Sequence, residues 1–184
     1  MTSVAIQGIR GSYSDAAALE LFGSGAELIE CRTFGDVFDA LTDGVAEYAV
    51  LPVRNSIIGE IGTVAGLLLT HTTERSDEID IQIEHVLAAA ELIDVSSLKI
   101  VRSHWAALDQ CSRFFEANPH LTPVASPDTA TSIRAIVEEG SQLQAAIGSE
   151  RAAELYGAKV ILRGIADEAN NITTFTAVRI GRKG

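Results

Sequence analysis

Short apolar runs alternate along the chain with segments whose apolar positions recur every three or four residues, a pattern that predicts strands exchanged with helices. Ser3–Gln7 predicts a buried strand closed by Gly8 and Gly11, then a helix over Ser14–Phe22 with Ala17, Ala18, Leu21 and Phe22 inward. Glu27–Cys31 predicts a second strand, Phe34–Thr42 a helix with Val37, Phe38 and Leu41 inward, and Tyr48–Val53 a third strand. That third run is apolar throughout, as a parallel strand covered on both faces requires. Gly59–Thr70 predicts a helix and His71–Asp77 a polar connector. Asp80–Ala90 opens with apolar–polar alternation, Lys99–Arg102 predicts a strand, and one helix runs through Trp105, Leu108, Cys111, Phe114 and Phe115. Strands at Pro123–Ala125, Gln144–Gly148 and Lys159–Leu162 alternate with helices at Thr129–Glu138 and Glu150–Tyr156. The last strand, Thr173–Ile180, leads into a basic tail, Arg179–Lys183.

Strand–helix repetition of this kind predicts an α/β fold. Polar stretches near 71–79 and 164–170 divide the chain into a first lobe, residues 1–78 plus 164–184, and an inserted second lobe, 79–163. A chain that crosses twice between lobes predicts a hinged pair with a small-molecule cleft between them.

At 184 residues and 47% hydrophobic, the chain can bury one substantial core or two lobes. A net charge of −11 without a basic cluster argues against nucleic acid as a partner. An anionic ligand would therefore need local charge from a few Arg residues, hydroxyls and helix N-termini. No run approaches the roughly 20 apolar residues of a membrane span. The N-terminus carries no secretory pattern, so a cytoplasmic location is expected. Cys31 and Cys111 lack metal-ligand or CxxC spacing and read as reduced, buried thiols. Neither metal nor cofactor is expected.

Five constellations carry candidate chemistry, each with a structural alternative. The glycines of Gly8–Ser14 permit a tight turn, and Ser12 or Ser14 can cap the next helix or contact an anion. In Leu51–Gly59, Asn55 and Ser56 stand at the carboxyl end of a strand, where open α/β sheets place ligands, and Gly59 lets a helix N-terminus approach. The structural alternative is an ordinary Asx or Ser cap. His104 is a proton or hydrogen-bond donor, or a helix cap, and Trp105 reads as packing. Thr129 and Ser149 each place a hydroxyl at a strand-to-helix turn. Asn170–Phe175 enters the last strand with paired Asn and paired Thr. No Ser/His/Asp triad emerges.

In register, these segments resemble the prephenate dehydratase family, which includes arogenate dehydratases. Its Gly-x-x-Gly-Thr-Phe-Ser start is matched by Gly8–Ser14, its Pro-Ile-Glu-Asn-Ser-x-x-Gly by Pro52–Gly59, and its Ser-His-Pro-Gln-Ala-Leu-x-Gln-Cys by Ser103–Cys111. Asp-Thr-Ala recurs at 128–130, Ala-Ile-x-Ser-x-x-Ala-Ala-x-x-Tyr-Gly at 146–157, and Asn-x-Thr-Arg-Phe as Asn171–Phe175. The resemblance spans about residues 3–182. It implies a two-lobed fold like type-2 periplasmic binding proteins and conversion of prephenate to phenylpyruvate in phenylalanine biosynthesis. It also implies Thr173 as general acid, with Ser12, Arg54, Asn55, Ser56, Gly59, His104, Thr129, Ser149, Asn171, Thr174 and Phe175 around a small anionic substrate, prephenate or arogenate. A homo-oligomer is a further expectation.

Two departures stand out: Arg54 replaces the family's Glu, and Thr174 replaces its Arg. If the two approach each other, Arg54 supplies the guanidinium that Thr174 lacks. Trp105-Ala106 in place of Pro-Gln alters the expected cleft wall. The chain leaves no room for the regulatory ACT domain that usually follows, so phenylalanine feedback by that route is not expected. Non-aromatising prephenate decarboxylation and non-catalytic ligand binding remain alternatives, although the retained Thr173 favours dehydration.

Overall fold

Three parallel strands open the fold, because a helix after each of the first two carries the chain back to start the next strand in the same direction, one on either side of the first. The computed structural model describes residues 2–181; Arg182 and Lys183 of the expected basic tail lie outside them. Strand β1 (Ser3–Gln7), helix α1 (Tyr13–Phe22), strand β2 (Glu27–Cys31), helix α2 (Phe34–Thr42) and strand β3 (Tyr48–Asn55) follow the predicted order. Thr33 begins α2 with a capping box, exchanging bonds with Asp36. After β3 come a two-residue strand β4 (Gly59–Glu60), helix α3 (Gly62–Thr70) and strand β5 (Thr73–Gln82). The last strand, β11 (Ile172–Ile180), returns antiparallel between β3 and β5 and completes the order β2-β1-β3-β11-β5. Val4, Ile6, Ala17, Ala18, Val50 and Phe175 pack on the α1 side. Ala5, Leu51, Val37, Phe38 and Val64 pack on the side of α2 and α3.

The second sheet holds β6 (Val86–Ala89), β7 (Ile100–Ser103), β8 (Thr122–Ala125), β9 (Gln144–Gly148) and β10 (Lys159–Leu162). Their order is β10-β6-β9-β7-β8, with β7 parallel to both β8 and β9. Helices α4 (Trp105–Asp109), α5 (Ser112–Ala117), α6 (Thr129–Glu139) and α7 (Glu150–Tyr156) belong to this unit. Leu87, Leu98, Val101, Cys111, Phe114 and Ile147 form its core. Both thiols are free and buried, and burial pushes Cys111 up to about 12, with Asp167 adding to the effect.

The chain folds as two compact units, Met1–Ile9, Tyr13–Ile83 and Asn170–Gly184 in one, Arg10–Ser12 and Glu84–Ala169 in the other. The first unit reaches Ile83 rather than residue 78, and resumes at Asn170 rather than 164. The cause is β5. The segment expected as a polar connector is an edge strand whose Ile79 and Ile81 pack on the α1-side core. Its charges face water, which protects an unpaired edge from association. Ser76 and Asp77 together oppose Ala177, a bulge that twists this edge.

Two helices also differ from expectation. The single helix through Trp105–Phe115 is two, because Asp167 caps the second from 55 residues away. Its carboxylate accepts from the Ser112 amide (3.0 Å), the Ser112 hydroxyl (2.7 Å) and the Arg113 amide (3.0 Å). Desolvation raises its pKa, but these bonds prevail and hold it below the usual carboxylate range. The helix expected from Gly59 begins at Gly62, since Gly59 sits at φ 80°. That value suits the left-handed last position of the Ser56–Gly59 turn, not a helix.

Gly148 ends β9 against α6, where a Cβ would lie 2.7 Å from Ile133 Cδ1 and 3.1 Å from the Thr129 carbonyl. Gly148→Ala is expected to destabilise the protein by about 1–3 kcal/mol in urea titrations. Gly25→Ala, with nothing within 4 Å, should stay within about 0.5 kcal/mol.

Candidate active site

In the first unit the candidate chemistry gathers where β3 ends and β11 begins. Asn55 is 6% exposed, Asn171 fully buried and Thr173 8% exposed. The Asn55 carbonyl oxygen accepts from the Ile57 and Ile58 amides at 2.9 and 3.2 Å, forming the Asx turn of the hairpin. That fixes the orientation of the side-chain amide, because only its NH2 group remains to face β11. The NH2 group donates to Asn171 Oδ1 at 2.6 Å and to Thr173 Oγ1 at 2.9 Å. Thr173 thus receives a hydrogen bond on its oxygen. Among the described residues its own hydroxyl hydrogen meets no acceptor. A donor aimed at Oγ1 also favours any alkoxide that forms there.

Ser56 is used differently. Its hydroxyl donates to the Asn170 carbonyl (3.2 Å) and accepts from the Ile172 amide (2.9 Å), which clamps the entry to β11. Phe175 is 3% exposed within the α1-side core, so it anchors the strand and presents no face to a ligand. No atom lies within 4 Å of a Cβ at Gly59, whose role is its positive φ and not a close approach.

Arg54 and Thr174 do approach each other, as the sequence suggested, but away from Thr173. Asn55 pairs with Thr173 and Arg54 with Thr174, and strand alternation sets the two pairs on opposite faces. Arg54 Nη2 lies 3.5 Å from Thr174 Oγ1, which donates to Asp80 Oδ1 at 2.6 Å. Glu60 stands opposite Arg54 on β4. A polar row, Glu60–Arg54–Thr174–Asp80, therefore crosses four strands on the face turned from the Thr173 hydroxyl. The approach of Arg54 to Thr174, the condition on which Arg54 was expected to supply the missing guanidinium, is thus met on that face. Asp80 escaped the sequence reading, although the Ile79 and Ile81 alternation already set it on the other face.

In the second unit, the parallel strands β7, β8 and β9 end at three adjoining strand-to-helix turns. His104 caps α4, its Nδ1 accepting from the Ala106 amide at 3.3 Å, so the ring proton belongs on Nε2. Burial lowers the His104 pKa, opposed by nearby Asp128. Asp128 caps α6 through the Thr131 amide and hydroxyl, at 2.7 and 2.6 Å. Thr129 follows it, half-buried, and its hydroxyl makes no hydrogen bond among the described residues. Ser149 caps α7 by accepting from the Ala152 amide (3.0 Å), and its hydrogen goes to the Gly11 carbonyl (2.7 Å). Ser12, 7% exposed, belongs to the Arg10–Ser12 segment that this bond secures. Among the hydroxyls expected to bind a ligand, Ser56 and Ser149 are thus committed to structure, while Thr173 and Thr129 keep a proton to offer.

The prephenate dehydratase family model matches residues 4–183. The chain belongs to the prephenate dehydratase family. Arogenate dehydratase/prephenate dehydratase 1, chloroplastic, of Arabidopsis thaliana is 34% identical over 172 residues, 94% of this chain and 43% of that relative. The chain thus spans less than half of that protein. A prephenate dehydratase from Arthrobacter aurescens, solved in complex with L-Phe, shares the fold with a TM-score of 0.87 at 24% identity, over 99% of this chain and 61% of the other. A periplasmic substrate-binding protein of a Coxiella burnetii ABC transporter aligns with a TM-score of 0.52 at 14% identity, over 97% and 84%. The α/β fold is that of the prephenate dehydratases and is similar to periplasmic binding proteins, as expected. Among the described residues no helix is long and apolar enough to cross a membrane.

The two departures from the family's motifs are cross-strand partners. The acid missing at position 54 is replaced by Asp80 on the other side of Thr174. Arg54→Glu and Thr174→Arg should each lower stability by setting like charges side by side. Combined, they should recover about 0.5–1 kcal/mol relative to the sum of the singles, as a double-mutant cycle in urea would show.

His85 adds a pH dependence. It is 3% exposed and its Nε2 lies 3.0 Å from Gln110 Oε1; burial lowers its pKa, opposed by that bond. For both His85 and His104 the unfolded chain takes up a proton first as pH falls below the ordinary 6.5. Their contribution is complete above that pH and declines as pH drops toward the lowered folded values. His104→Asn, which keeps a cap without a titrating group, should flatten part of the loss of denaturation midpoint on acidification below 6.5.

Proposed function

We propose that the chain catalyses decarboxylating dehydration of prephenate, or of its amino counterpart arogenate, with Thr173 as the general acid. The ring carboxylate leaves as carbon dioxide, its bonding electrons enter the ring, and the para hydroxyl departs with a proton to become water. The observation that carries this reading is the Asn55 bond to Thr173 Oγ1 at 2.9 Å. It leaves the Thr173 proton free for the departing oxygen and meets the negative charge developing on Oγ1, which a lone threonine hydroxyl cannot support. Solvent then restores the proton. Asn171 shares the Asn55 amide and holds it in line.

The substrate's charge calls for donors in a chain that is acidic overall. Within the second unit, the His104 Nε2–H and the Thr129 hydroxyl at the start of α6 are donors suited to an anion, since helix N-termini favour negative charge. Ser56 clamps the entry to the strand that carries Thr173, and Ser149 holds the start of α7. On the family's pattern the protein is a cytoplasmic, self-associating enzyme of aromatic amino-acid biosynthesis.

Incubation of the purified protein with prephenate should yield phenylpyruvate. Thr173→Ala should lower kcat at least about 100-fold with little change in KM, while Thr173→Ser should keep most of the rate. Full activity in the Ala variant would remove the acid assignment. A dihydro-hydroxyphenylpyruvate product would show decarboxylation without loss of the hydroxyl and overturn dehydration.

A further inference from the structure

Trp105 was expected to be a packing residue, yet its side chain is 65% exposed. It opens α4, at the carboxyl end of β7. Its ring lies 5.6 Å from that of His104, tilted by 42°. His104 is fixed in turn, since its Nδ1 accepts the Ala106 amide and leaves Nε2–H unpartnered among the described residues. The β7 and β8 ends are in register, Ser103 beside Ala125, so the Asp128–Thr129 turn follows close by. Indole, Nε2–H and a free threonine hydroxyl thus occupy adjoining turns at one sheet edge.

We propose that Trp105 contacts the ligand, its indole forming a wall for the flat ring of a ring-bearing carboxylate whose acid group is met by His104 and Thr129. This rests on the functional reading above and adds a specificity-determining residue to it. A side chain left in water beside free donors gains most from a planar apolar partner. The direction of selectivity follows from the chemistry. Prephenate's ring carries two tetrahedral carbons with substituents on both faces, whereas the product ring is flat and bare. An indole wall therefore holds the aromatised ring better than the starting ring, so Trp105 binds the product ring more tightly than the substrate ring.

The chain's single tryptophan makes the test direct. Acrylamide quenching of Trp105 emission is measured in the intact protein with 3-phenylpropanoate, and again with 3-cyclohexylpropanoate, a saturated ring of like size. Phenylpropanoate should cut the quenching constant saturably, and its affinity should exceed that of the cyclohexyl acid by roughly 2- to 10-fold. Trp105→Ala should weaken phenylpropanoate inhibition of prephenate turnover by a similar factor. Trp105→Phe should restore most of it, and neither variant should shift the denaturation midpoint. Prephenate turnover with quenching unchanged by phenylpropanoate overturns the Trp105 assignment alone. Quenching that depends on protein concentration but not on either acid also overturns it, assigning the indole to contact between copies. Absence of both turnover and binding removes the functional reading, and this assignment with it.

Discussion

The antiparallel return of β11 between β3 and β5 is the constraint on which most of the first unit depends. Its pairing with β5 turns a charged stretch into a strand, and its pairing with β3 brings Thr173 to Asn55 across 118 residues of sequence. Strand alternation then does the rest. Thr173 and Thr174, adjacent in the chain, serve two separate networks because successive side chains leave a strand on opposite faces.

Asn55 shows how one residue can both close a turn and hold a neighbouring hydroxyl. Its carbonyl oxygen is held by two hairpin amides, so its NH2 group has no choice but to face Asn171 and Thr173. The cap alternative raised by the sequence is the one these bonds show, with Thr173 held by the same side chain. The opposite holds for Ser56 and Ser149, whose hydrogens go to backbone carbonyls. A hydroxyl of that kind positions a turn. One whose hydrogen is unclaimed, as at Thr173 and Thr129, can act on something else.

In the second unit, three parallel strands end at three helix starts, each capped by its own side chain: His104, Asp128 and Ser149. Capping removes the unsatisfied amides of the first turn without exhausting the site, since Nε2–H of His104 and the Thr129 hydroxyl remain. Neutral imidazole is central to that arrangement. Protonation would take Nδ1 away from the Ala106 amide, so cap and donor depend on the same ring.

Periodicity alone determined the strands and helices of the alternating α/β order, since strands such as Glu27–Cys31 and helices such as Phe34–Thr42 are specified by their own apolar spacing. The motif residues likewise announced the family, through their identities and order along the chain. The tertiary structure decided what each of them bonds to. The edge strand β5, the capping of α5 by Asp167, and the separation of Arg54 from Thr173 all rest on partners distant in sequence or on strand register. Local patterning records burial along one segment, whereas a hydrogen's destination is set by which segments meet.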